Sequence, residues 1–132
     1  MIEPSPSLAP LFYFAFGAYA LAWIVGLVRP GVARWILAAG TLVHLAGTTW
    51  RGLMIEFLPL TNKFESFSAA ALCIAIVGLV GWGRQRLYNA IVLAFGLAAF
   101  YAALRFPIAM AYPPPLMRTI WYPLHVPLSF FA

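Results

Sequence analysis

The sequence predicts an all-α integral membrane protein with four transmembrane helices, the start of a fifth, and the N-terminus outside. Three observations carry that expectation. Apolar residues fill 64% of the 132 positions and charged residues only 8%, too few charges to cover a water-soluble domain of this length. The apolar residues fall in four runs, each near the roughly 20 residues that cross the hydrocarbon core. The connections between them alternate between arginine-only turns and longer loops of mixed charge, which is the pattern of positive-inside topology.

The first run, residues 11–28, follows "MIEPSPSLAP". That tail has an acid, Glu3, and prolines where a secretory leader carries lysine or arginine, so the run is expected to stay in place as an anchor. "VRPGVAR" leads to the second run, residues 32–50. The third and fourth, residues 67–82 and 87–104, are joined by "WGRQRLY". A lipid-exposed backbone must satisfy its own hydrogen bonds, so each run is helical by default. A further apolar segment spans residues 121–132. The whole chain, 1–132, reads as a single membrane domain.

The turns carry Arg29, Arg34, Arg84 and Arg86 and no acid. The loop over 51–66 holds Arg51, Glu56, Lys63 and Glu65, and the loop over 105–122 holds Arg105 and Arg118. The arginine turns are therefore expected in the cytoplasm, with both loops on the outer face and Trp50, Trp121 and Tyr122 at its border. "YPPP" at 112–115 favours an extended polyproline II segment in the second loop.

Some function classes drop out early. The net charge of +5 comes from basic residues scattered singly between apolar runs, which fits topology and not nucleic-acid binding. Cys73 is the only cysteine, so no internal disulfide can form. Without a C-x-x-C-H motif the chain is not itself a c-type cytochrome.

Three places could carry chemistry. In "LPLTNKFESFSAAAL", Asn62 followed three residues later by Glu65, just before an apolar run, reads as a capping-box variant. Asn62 would accept from an orphan amide and Glu65 would reach back to the Asn62 amide. The other reading gives Glu65 a catalytic or transport role, as a proton or cation site, though it stands near the interface, where charge is cheap. His44 lies within the second run, and an imidazole there serves a neighbouring helix by hydrogen bonding more often than it binds metal. Thr48, one turn on, is placed to help satisfy it. His125, in "WYPLHVPLSFFA", is flanked by Pro123 and Pro127, which restrict the backbone where the chain re-enters the membrane. It could ligate haem iron or another metal, act as acid or base, or simply sit at an interface. No second ligand stands at the close spacing a zinc site needs.

Together these stretches resemble the CcsA/CcmC/CcmF family of membrane proteins for cytochrome c assembly. "RGLMIEFLPLTNKFESFSAAAL" is similar to a family segment in which an arginine precedes Pro-Leu-Ser-Asn, two residues, then Glu-Ser and an apolar helix. Pro59, Leu60, Asn62, Glu65 and Ser66 match it, and Thr61 stands in place of serine. His125, Val126 and Pro127 resemble the His-Val-Pro segment that holds an external haem-ligand histidine. "HLAGTTWR", with His44, is more weakly similar to a His-x-x-Gly…Arg stretch.

The resemblance implies a haem-handling subunit that presents haem b at the outer face of the bacterial cytoplasmic membrane to apocytochrome c. His125 would be an axial ligand to the haem iron, with His44 a weaker candidate for haem contact. The family's tryptophan-rich WWD segment and second external histidine have no counterpart here, so the chain resembles an N-terminal half. It would need a WWD-containing C-terminal-half membrane protein as partner, with a CcsB-like or thiol-reducing protein nearby, and haem-lyase activity would depend on that completion. Two other functions fit the composition: a small proton- or cation-coupled transporter built on Glu65, and a quinone or haem b respiratory anchor built on His44.

Overall fold

The computed structural model describes residues 8–83, 85–109, 115 and 118–132. Glu3, Arg84 and residues 112–114 of the expected polyproline segment lie outside them. The described residues form five helices in the order α1 (Ala9–Gly26), α2 (Pro30–Ile55), α3 (Lys63–Val80), α4 (Arg86–Leu104) and α5 (Trp121–Phe131), with no strand among them.

Prolines at the start of α1 and α2 cost no internal hydrogen bond, because the first amides of a helix have no partner. α1 buries Phe12, Ala15, Tyr19 and Ala22, and α4 buries Asn89, Leu93, Gly96, Phe100 and Ala103. Both sets recur at helical spacing and mark one inward stripe per helix. The outward faces are just as apolar: Phe14, Trp35, Leu42, Val80 and Phe95 are all exposed.

α1 packs on α2, α3 on α4, α1 on α4 and α2 on α3, which closes a four-helix ring. Gly40 faces Ala18 and Tyr19, while Gly47 faces Leu11 and Phe12, so α1 and α2 run antiparallel. A Cβ at Gly40 would come within 2.7 Å of the Ala18 Cβ. Only glycine allows that approach of the two backbones.

Among the described residues three helices, α1, α3 and α4, are long and apolar enough to cross a membrane, where four were expected. The exception is α2. Its 26 residues suffice in length, but it is the least apolar of the five, and its buried stripe includes Thr41, His44 and Arg51. α2 also continues to Ile55, so the loop expected over 51–66 narrows to residues 56–62. Glu56 ends the helix in a left-handed conformation with φ of 52°.

The two arginine-bearing turns share one end of the bundle, where the Trp82 indole donates to the Pro30 carbonyl at 2.8 Å. The 56–62 loop, the segment leaving α4 and the start of α5 meet at the other end.

Candidate functional site

The loop end is organised by a buried ion pair. Arg51, in the last turns of α2, donates from Nε to Glu65 Oε1 at 2.7 Å, and both side chains are 1% exposed. Its other guanidinium nitrogens donate to the Ile108 and Ala109 carbonyls at 2.9 and 2.6 Å, and the Phe64 ring lies 5.2 Å away. Glu65 Oε2 accepts from the backbone N–H and the hydroxyl of Thr61 at 2.7 and 2.8 Å. One buried pair thus ties α2, α3, the first loop and the chain leaving α4. Low-dielectric burial makes such a pair costly to break by halves.

The cap reading of this segment is half met. Asn62 Oδ1 accepts from the Glu65 amide at 2.9 Å, as an N-cap should. The Glu65 carboxylate does not return to the Asn62 amide. It turns inward to Arg51 and Thr61, and it is buried. Ser66 closes the first helical bond with its N–H on the Asn62 carbonyl, and Pro59 packs against Gly52.

His44 sits at the centre of the bundle with no exposure. Its Nδ1 is 2.9 Å from the Tyr19 hydroxyl of α1 and its Nε2 is 2.8 Å from the Ser68 hydroxyl of α3. The ring stacks on Phe100 of α4 with centroids 4.3 Å apart. Both nitrogens are therefore taken in either tautomer, and neither is open to iron. Thr48 does not serve the imidazole; its hydroxyl donates to the His44 carbonyl one turn back. Tyr19 and Ser68 went unread in the sequence because each lies on a different helix from His44.

His125 is the opposite case. It lies in α5, is exposed, and its ring has no hydrogen bond or ion pair among the described residues. Pro123 falls in the first turn of α5, whereas Pro127 is inside the helix and removes one backbone donor there. α5 packs on α3 and is pinned to the first loop. The Tyr122 hydroxyl donates to the Leu60 carbonyl, and its ring stacks on Phe57 with centroids 6.0 Å apart. The Pro59–Ser66 segment and the His125 helix, distant in sequence, thus meet at one end of the fold.

Beside them is an apolar groove of about 440 Å³, with walls that include Leu53, Phe57, Leu60 and Cys73, and Pro127 and Phe130 of α5. His125 does not line it. Among the described residues no three His, Cys, Asp or Glu side chains gather as a metal site. An axial ligand to haem requires only one accessible imidazole, and the exposed His125 ring is one.

Comparison of the chain with protein-family models, with curated proteins and with solved structures finds no match in any of the three.

Proposed function

We propose that this chain is a haem-handling membrane subunit of cytochrome c assembly. The observation that carries the reading is the meeting of the two segments on which the family resemblance rests. The Leu60 carbonyl of the first receives the Tyr122 hydroxyl, one helical turn before His125 in the second. An exposed imidazole with no partner among the described residues is thereby offered beside an ion-paired floor.

In this reading α2 crosses the bilayer as a fourth span with its polar stripe turned inward. The arginine turns lie in the cytoplasm of a bacterial cell, and the N-terminus and the loop end face outward. His125 supplies one axial ligand to haem b, which is the cargo. A WWD-containing partner supplies the opposite ligand and closes the site, and a CcsB-like or thiol-reducing protein keeps the substrate cysteines reduced. The two thiols of an apocytochrome Cys-x-x-Cys-His segment then add across the haem vinyl groups. Each S–H contributes its sulfur to one vinyl carbon and its proton to the other.

The rival readings draw less support. A transporter built on Glu65 needs a carboxylate free to take cargo, yet both oxygens are engaged. An anchor built on His44 needs a free ring nitrogen, and both are bonded.

The test is covalent haem attachment to an apocytochrome in membranes holding this chain, the WWD partner, both, or both with His125→Ala. The reading predicts attachment with both chains and its loss in the variant. Wild-type attachment with His125→Ala would sink it.

A further inference from the structure

The loop end contains one continuous path of contacts from the bundle interior to α5. Arg51 Nε holds Glu65 Oε1, and Glu65 Oε2 accepts from both the backbone N–H and the hydroxyl of Thr61. Thr61 follows Leu60, whose carbonyl receives the Tyr122 hydroxyl. His125 stands one turn beyond Tyr122 on α5. Every bonded step is polar and directional, and Arg51 and Glu65 are buried beyond the reach of solvent.

Among the described residues, α5 has little else to fix it. It has no buried residue of its own, and Trp121, Leu124, Leu128 and Phe131 are all more than half exposed. A helix without a buried stripe takes its position from a few specific contacts. Here those contacts are the Leu60 carbonyl, the Phe57 ring, and packing on α3.

We propose that the Arg51–Glu65 pair is a positioning device for His125, acting through Thr61 and the Leu60 carbonyl that seats Tyr122. This rests on the reading of His125 as a haem ligand. It assigns to the pair a role distinct from holding the bundle together: it sets the shape of residues 58–61, and that shape sets where α5 lies. The ligand geometry at His125 is then decided by a charge pair that never touches haem.

A double variant separates the two roles. Replacing both charges with apolar side chains of similar size, Arg51→Met with Glu65→Leu, leaves no buried charge unpaired and is often neutral for folding. It nevertheless removes the carboxylate that accepts from the Thr61 N–H and hydroxyl. The chain is purified with its partner in a Cys73→Ser background, with spin labels at Leu53→Cys on α2 and Leu128→Cys on α5. A control pair, Phe14→Cys and Phe95→Cys, reports the ring itself.

The expected result is an unchanged α1–α4 distance and an α2–α5 distribution that broadens and shifts. Haem in the same complex changes from six- to five-coordinate and recovers on addition of imidazole. Tyr122→Phe, which leaves the ion pair intact, should loosen α5 in the same way. If the double variant fails to fold, Glu65→Gln stands in, keeping the side-chain volume but leaving one accepting oxygen where the carboxylate has two. A folded variant with the wild-type α2–α5 distribution overturns the proposal. If the distances move while His125→Ala leaves haem ligation unchanged, the positioning of α5 stands and the ligand role of His125 falls.

Discussion

The two histidines occupy opposite environments, and the contrast separates a satisfied side chain from an open one. His44 is enclosed by four helices, with a hydroxyl on each nitrogen and an aromatic ring on its face. His125 projects from a thinly held helix with neither nitrogen engaged among the described residues. Burying a polar ring is tolerable only if its bonding capacity is filled, so a satisfied imidazole in a core acts as a fastener between helices. An imidazole left open at a surface remains available to a ligand. Position within the fold, more than residue type, separates the enclosed histidine from the accessible one.

That contrast can be broken by substitution, and the largest effect should come from the interior. Glu65→Ala strands a buried guanidinium and should cost about 3–5 kcal/mol of stability, read as a lowered unfolding midpoint in detergent. His44→Ala should cost about 2–3 kcal/mol. Two interhelical hydrogen bonds are lost and a cavity opens beside Phe100. Its haem content per folded molecule should nonetheless equal that of wild type. Tyr122→Phe removes one hydrogen bond and should cost about 1 kcal/mol or less, concentrated in α5 and visible as faster local proteolysis. His125→Ala should change stability least, by about 0.5 kcal/mol or less, as for other surface positions. A destabilisation by His125→Ala as large as that of His44→Ala would erase the distinction.

The sequence revealed these regions unevenly. Helix positions were legible, because apolar runs of membrane length admit little else. The Asn62 cap was legible as well, since its partner amide lies three residues away and local spacing is enough to find it. The partners of Glu65 and His44 were not. Arg51 reaches Glu65 only because α2 runs on past its expected end, to Ile55, and turns the arginine inward. Tyr19 and Ser68 meet His44 through the rotation of three separate helices, which no local pattern records. One signal was there to be used: Phe12, Ala15, Tyr19 and Ala22 form a single helical stripe, which marks the Tyr19 hydroxyl as a buried group in need of a partner. α2 is where the expectation of four spans and the structure part, because Thr41, His44 and Arg51 on its buried stripe lower its hydropathy.

The account turns on His125 being the haem ligand and His44 the fastener. The most direct test is the reduced haem spectrum, per folded molecule, of the two-chain complex carrying wild type, His44→Ala or His125→Ala. The account predicts that wild type and His44→Ala share one spectrum. His125→Ala should lose haem or shift to a five-coordinate form that imidazole restores. A wild-type spectrum from His125→Ala, or loss of haem in His44→Ala alone, would contradict it.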